Sequence, residues 1–153
     1  NELCRMHLNL ADLYSRMKMT DSADAHFQMA LQAGPDYYPA IRQAAVWYAR
    51  QGEFKRTDSL YDILIRTDDL SAGDWFNWGA SKMQRQQFDQ AIKMMRESLK
   101  LNPDMFQAYH SIAVAYHQSG MPRDSVIEYL DLCLGIKPDF SPAQEFKRRL
   151  GVD

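Results

Sequence analysis

A pattern of side-chain size returns every 34 residues along this chain. The segment from Ala72 to Pro103 contains two helix-length apolar patterns, a short polar break and a closing proline, and the same pattern fits both upstream and downstream. A fixed period of roughly 20 to 50 residues predicts stacked structural repeats. One position of the pattern is always small and another always large: Ala11, Ala45, Gly79 and Ala113 form the small set, and Phe27, Tyr61, Met95 and Tyr129 form the large set.

Apolar residues at helical spacing predict two helices in each repeat. Expected helices span residues 4–17, 54–66, 72–85, 88–101, 105–118 and 122–136, with Pro39 in the first turn of the third helix and a last helix near 141–150. We expect Thr20 or Asp21 to cap the second helix and Ser141 to cap the last one. The expected buried sets are His7, Leu10, Ala11 and Tyr14 in the first helix, Ile41, Ala44, Ala45 and Tyr48 in the third, and Thr57, Tyr61, Leu64 and Ile65 in the fourth.

The composition is that of an ordinary folded protein. The chain has 153 residues, 46% hydrophobic and 25% charged, and its net charge is −2. Since no block of like charge appears, nothing favours nucleic acid or an anionic membrane as partner. Cys4 and Cys133 fall in the first and last repeats, too far apart to be bonded in a stacked array. Two unpaired cysteines fit a reducing compartment slightly better than an oxidising one, and the cytoplasm is favoured on that ground alone.

The repeated residues resemble the tetratricopeptide repeat, whose pattern is W-x2-L-G-x2-Y, then A-x3-F, then P. The chain reads HLNLADLY, IRQAAVWY, WFNWGASK and YHSIAVAY in successive repeats, and the resemblance covers about residues 4–138. It implies an all-α fold, a right-handed α-solenoid of antiparallel helix pairs, in one domain, 1–153. The implied repeats are 4–37, 38–71, 72–105 and 106–139, with a capping helix at 141–150. Departures from the pattern are Lys82 for tyrosine, Lys18 and Gln86 for the turn glycine, and Asp69 for the closing proline.

In such an array the first helix of each pair lines the inner face. One position on that face holds Asn9, Gln43, Asn77 and Ser111, all polar and uncharged. A carboxamide offers both a donor and an acceptor, so this row suits the backbone of an extended peptide. The alternative is that these side chains are only solvated helix-surface residues. Neighbouring positions add Arg42 and Arg50 for an acidic group or terminal carboxylate, and further contacts from Val46, Phe76, Ala80, His110 and Val114.

Family members that bind chaperone tails use a carboxylate clamp of Lys, Asn, Asn, Lys and Arg across three repeats. Starting from the second repeat, Arg42 and Asn77 match this clamp in kind, whereas Val46, Gln107 and Ser111 do not. The resemblance therefore implies a protein or peptide partner other than a chaperone tail.

The first helix carries an apolar stripe with no earlier element in the sequence to cover it: Leu3, Met6, Leu10, Leu13 and Met17. We expect a copy of the chain, an upstream domain or another element to pack there, which makes self-association or assembly the alternative function. The competing interpretation is that these side chains are simply half-exposed.

Signals of catalysis are absent from the sequence. It has no glycine-rich phosphate loop and no GxSxG, HExxH or CxxC motif. His110 and His117 stand seven residues apart, whereas a metal pair on a helix prefers three or four. We therefore predict no enzyme activity, no metal and no cofactor. An RNA-binding function, as in related 35-residue helical repeats, is disfavoured because the chain lacks a basic stripe.

Overall fold

The computed structural model describes residues 1–67 and 70–151, and Asp69, which replaces a closing proline, lies outside them. These residues form nine α-helices and no β-strand. The helices are α1 Glu2–Arg16, α2 Thr20–Ala33, α3 Tyr38–Arg50, α4 Phe54–Arg66, α5 Ala72–Gln84, α6 Phe88–Leu101, α7 Phe106–Gln118, α8 Arg123–Ile136 and α9 Ser141–Arg149. The chain divides into two compact units, the first ending at residue 69 and the second beginning at residue 70.

The turn inside every helix pair places one residue in the left-handed region of backbone space. Gly52 and Gly120 have φ values of 77° and 72°, as their lack of a Cβ permits. Lys18 and Gln86 occupy the same place in the other two pairs, with φ values of 59° and 57°. The repeat therefore imposes this conformation even where the residue is not glycine, at a local cost of about 1–2 kcal/mol.

Two of the expected helix caps are wrong. Met19 precedes α2 and Phe140 precedes α9, and neither helix has a side-chain cap, because Thr20 and Ser141 already belong to the first helical turn. A complete capping box instead starts α5. There Ser71 Oγ accepts from the Asp74 N–H at 3.2 Å, and the Asp74 carboxylate accepts from the Ser71 N–H at 2.9 Å.

In the first unit, α1 packs on α2, α3 packs on α4, and α2 contacts α3. The expected buried set of α3 is confirmed, since Ile41, Ala44, Ala45 and Tyr48 are all buried. The expected set of α1 is largely wrong. Ala11 is buried, but His7, Leu10 and Tyr14 are only half-buried, and the other buried residues of α1 are Cys4 and Leu8. Ile65 of α4 is also exposed, at 43%.

In the second unit, α5 packs on α6, α7 packs on α8, and α9 packs on α8. Ala143 and Phe146 of α9 join a core cluster with Ala113, Val126 and Leu130, and Phe140 and Leu150 pack against its edge. The last helix therefore seals the final pair, as its amphipathic pattern predicts. Both cysteines are buried free thiols, and burial raises the pKa of each.

No described helix combines the length and apolar character needed to cross a bilayer.

A small residue allows close approach of the paired helices at the repeated position. A Cβ added to Gly79 would lie 3.0 Å from Met95 Cε and 3.3 Å from the Ala91 carbonyl oxygen. That contact explains why size is constrained at this position of the pattern.

Candidate functional site

The carboxamide row begins in the first unit with Asn9 on α1 and Gln43 on α3. Both side chains belong to exposed residues, and the two helices contact each other directly. Ala44 and Ala45, which follow Gln43 in the sequence, are buried, so the core lies on the other side of α3. The first unit therefore presents both amide groups to solvent, where each can donate and accept hydrogen bonds.

In the second unit the same position holds Asn77 on α5 and Ser111 on α7. Both residues are half-buried, and α5 contacts α7 as α1 contacts α3. The second half of the row is thus less open than the first.

The remaining candidates of the first unit lie on one face of α3. Arg42, Val46 and Arg50 are spaced four residues apart, so they follow one another along the helix. Arg42 and Val46 are half-buried, and Arg50 at the end of the helix is exposed. This face therefore offers a short apolar patch between two guanidinium groups.

The apolar candidates of the second unit are partly used by its own core. Phe76 and Ala80 of α5 pack against the cluster formed by Ile92, Met95, Ala108, Ile112 and Ala115. Their outer surfaces remain half-buried rather than fully covered. They can add contact area for a bound segment only with the part of each side chain that stays accessible.

The last helix lies against His110, one of the candidates of the second unit. The His110 ring lies 5.3 Å from the Phe140 ring and 6.4 Å from the Phe146 ring, both edge to face. Val114 packs against the cluster that includes Phe146. Burial lowers the pKa of His110, so the neutral imidazole is favoured there. The sequence predicts a capping helix after the last repeat but does not show that Phe146 of this helix contacts His110.

A histidine pair that the sequence does not reveal links α1 and α2. His7 Nδ1 and His26 Nδ1 are 3.0 Å apart, and His26 stacks on Tyr14 with ring centroids at 5.3 Å. The expected place of His7 in the core is therefore wrong, because His7 is half-buried, as His26 is. Within residues 1–67 and 70–151, no group of three or more His, Cys, Asp or Glu side chains is arranged to hold a metal ion.

Two tyrosines also connect successive repeats in a way that the pattern does not reveal. The Tyr48 hydroxyl of α3 donates to Asp24 Oδ1 of α2 at 2.9 Å, and Arg56 Nη1 lies 3.1 Å from the same oxygen. In the second unit, Arg96 Nη2 of α6 donates to the Tyr116 hydroxyl of α7 at 2.8 Å. These contacts hold the first helix of one repeat against the second helix of the repeat before it.

The helix pairs, their repeated small residues and their left-handed turns define a helical-repeat protein. The sequence profile of the tetratricopeptide repeat matches residues 5–37 and 75–105, in agreement with the predicted resemblance to this family. The human protein O-mannosyl-transferase TMTC3 is 28% identical over 115 residues, which are 72% of this chain. The chain spans only 13% of the length of that protein.

Three solved structures illustrate the likeness in fold. A MamA crystal structure superposes with a TM-score of 0.83 at 20% identity, covering 93% of this chain and 77% of that one. MamA from Desulfovibrio magneticus RS-1, residue 41 to the end, gives 0.80 at 10% identity over 90% and 77% of the two chains. Pseudomonas aeruginosa PilF gives 0.77 at 19% identity over 93% and 64%. These matches confirm the predicted fold class, an all-α solenoid of helix pairs. The tetratricopeptide-repeat matches support, in general terms, the role of a protein-interaction scaffold.

Proposed function

We propose that this chain binds an extended segment of another protein on the face formed by its first helices. The observation that carries the proposal is the row of Asn9, Gln43 and Asn77, three carboxamides that recur every 34 residues. Each carboxamide can pair with both the N–H and the C=O of a peptide backbone. Because the row addresses the backbone, it binds a segment without demanding one particular sequence.

The flanking residues supply affinity and direction. Arg42 and Arg50 meet an acidic residue or a terminal carboxylate of the segment, with Val46 between them as apolar contact. In the second unit the accessible parts of Phe76 and Ala80 supply apolar contact area. His110 lies beside Phe146 of α9, and we assign it, with Val114 and Ser111, to the contacts that the second unit supplies.

Binding peptides selected from a random library provide the test, because such a selection works without knowing the natural partner. The double variant Asn9→Ala with Gln43→Ala should bind the selected peptides about tenfold or more weakly. Peptide backbone groups that are buried on binding would then lack their hydrogen-bond partners. The matched control is Gln32→Ala with Gln51→Ala, which removes two exposed carboxamides outside the row. Equal affinity for wild type and the row variant would remove the support for this face.

A second candidate function is self-association through the outer face of α1. Leu3, Met6, Leu13 and Met17 are 52%, 50%, 51% and 57% exposed. Ala40 and Trp47, one repeat after Met6 and Leu13, are buried, and the Trp47 ring lies 5.1 Å from the Phe27 ring of α2. Tyr37, one repeat after Leu3, is half-buried, and Gln51, one repeat after Met17, is exposed. In α3 the preceding helix α2 covers this part of the face, so the stripe on α1 is suited to a helix of a second copy.

Light scattering across a concentration series tests this second candidate. We expect a defined oligomer for wild type and a monomer for Met6→Glu with Leu13→Glu, since buried carboxylates would oppose the contact. Leu101→Glu is the control, because Leu101 is 58% exposed on α6, away from the stripe. A wild-type protein that stays monomeric at every concentration contradicts the candidate.

We also infer that residues 1–153 act as one domain of four repeats. Trp47 reports on the first unit, whereas Trp75 and Trp78 report on the second. Replacing either set by phenylalanine gives a chain whose tryptophan fluorescence follows one unit only. Coincident urea transitions for the two chains support one domain, and two separate transitions contradict it.

The proposal includes no catalytic step. Its support is the sequence, which carries none of the phosphate-loop, nucleophile or metalloprotease motifs described above. The similarity to the human O-mannosyl-transferase spans 13% of that protein, and we carry over no activity from it. The function rests on the interaction surfaces alone.

A further inference from the structure

A groove runs along α8, the second helix of the last pair, away from the carboxamide row on the first helices. It encloses about 770 Å³ and is lined by α8, Tyr109 of α7 and the loop between α6 and α7. Its apolar floor includes Ile127, Leu132 and Ile136, of which Leu132 and Ile136 are 44% and 37% exposed. Large apolar side chains at this exposure leave area that a partner can bury.

The rim of this groove is acidic. Asp124, Glu128 and Asp131 lie on one face of α8, since they are spaced four and three residues apart, and Asp104 adds a fourth carboxylate from the loop. Of the described residues that line the groove, none is basic. Lys147 of α9 reaches Asp131 Oδ1 at 2.7 Å, which leaves three carboxylates of the rim facing the groove with no cation among its lining.

The repeat fold does not require this acidity. A groove of about 430 Å³ in the first unit is lined by Arg56, Ser59 and Leu60, which stand 68 residues before Asp124, Ile127 and Glu128. The first-unit groove also contains Lys55, so its charge has the opposite sign. The acidic rim and apolar floor of the second-unit groove are therefore particular to this repeat.

We propose that the groove on α8 binds a basic amphipathic helix of a partner protein. Leucine-like side chains on one face of that helix bury the floor, and Lys or Arg on its flanks pair with Asp124, Glu128 and Asp104. This is helix-in-groove recognition, in which apolar anchors recur at i, i+3, i+4 and i+7. The exposed carboxylates select the partner and speed its association, while the apolar floor supplies most of the affinity. The inference goes beyond the proposed function, because it uses a different surface and a helical rather than an extended partner.

The test uses two fluorescein-labelled helical peptides of about 14 residues, roughly four turns, with the same leucine face. One peptide carries lysines on its flanks and the other carries glutamates. Wild type should bind the lysine peptide. The double variant Asp124→Lys with Glu128→Lys should bind the lysine peptide about tenfold more weakly and the glutamate peptide more tightly than wild type does. Both substituted residues are exposed, so the fold should persist, and circular dichroism checks that it does.

The matched control is Asp21→Lys with Asp89→Lys, which changes the net charge equally at two exposed sites outside the groove. It should keep the affinity of wild type for the lysine peptide. Leu132→Asp should weaken both peptides, because it places a charge in the apolar floor. Equal losses in the groove variant and the control variant, or no gain for the glutamate peptide after charge reversal, would overturn the proposal.

Discussion

Tyr48 and Tyr116 occupy the same repeat position 68 residues apart, yet the two units hold them by opposite chemistry. Tyr48 donates to the Asp24 carboxylate at 2.9 Å, with the Arg56 guanidinium 5.0 Å from its ring. Tyr116 accepts from Arg96 at 2.8 Å and meets the Tyr129 ring edge to face at 5.1 Å. The repeat pattern thus fixes where the tyrosine stands, whereas the partner that ties it to the preceding helix is free to change.

We expect the greatest loss of stability where the two units differ in the size of the small residue. Gly79→Leu in the second unit should lower the free energy of unfolding by about 1–3 kcal/mol, because Met95 and the Ala91 carbonyl already lie within contact of a Cβ placed there. Chemical denaturation measures the loss. Gly135→Ala on α8 is the control, since nothing lies within 4 Å of its added Cβ, and it should stabilise by about 0.5–1 kcal/mol. An unchanged midpoint for Gly79→Leu would show that the helix pair tolerates bulk there.

The two tyrosine contacts should differ in strength. Asp24→Ala removes hydrogen bonds from Tyr48, Arg56 and Gln28, so we expect a loss of about 1–2 kcal/mol of stability. Arg96→Ala removes the bond to Tyr116 at a more exposed site, and its cost should be smaller. Urea midpoints of the two variants make the comparison, and an equal cost would mean that the carboxylate does not organise the first unit.

Substitutions at the two non-glycine turns should raise the stability instead of lowering it. Lys18→Gly and Gln86→Gly should each stabilise the chain by about 1 kcal/mol, because glycine adopts their positive φ without strain. The same measurement on Gly52→Lys and Gly120→Gln should give losses of similar size. If the glycine variants gain nothing, local interactions of Lys18 and Gln86 must already offset the strain.

The helices that the sequence predicts best are those with a repeat on each side. The bounds of α4 and α6 match the predicted 54–66 and 88–101. The errors concentrate in α1, where His7, Leu10 and Tyr14 take the register of Ile41, Ala44 and Tyr48. Those three later residues are buried because α3 packs on both α2 and α4, whereas α1 packs mainly on α2 alone, and His7 and Tyr14 stay half-buried beside His26. The periodicity sets the register, and burial follows only where a neighbour covers it.

The candidate site was predictable in its chemistry but not in its exposure. The 34-residue spacing alone locates Asn9, Gln43, Asn77 and Ser111. It does not show that Phe146 of α9 contacts His110, because that contact joins residues that are far apart in the sequence. The Asp24–Tyr48–Arg56 contact likewise depends on three helices and has no signature at any fixed spacing.

The stability of the second unit should also depend weakly on pH. Burial lowers the pKa of His110 in the folded state, so the unfolded chain binds a proton more readily. Stability is therefore full above the ordinary histidine pKa of about 6.5 and declines as the pH falls below it. Urea midpoints between about pH 5 and 7.5 should show this decline, and His110→Phe should reduce it. His117→Gln, at an exposed residue, should leave the decline in place.

Backbone methylation of a bound peptide decides whether the carboxamide row holds the backbone of an extended segment. A library-selected peptide is resynthesised with one N-methyl group at each position in turn, and each Kd is measured for wild type and for Asn9→Ala with Gln43→Ala. We expect losses of about tenfold at alternating positions for wild type, with smaller losses for the variant. Affinity that follows the peptide side chains but ignores N-methylation would contradict backbone recognition by the row.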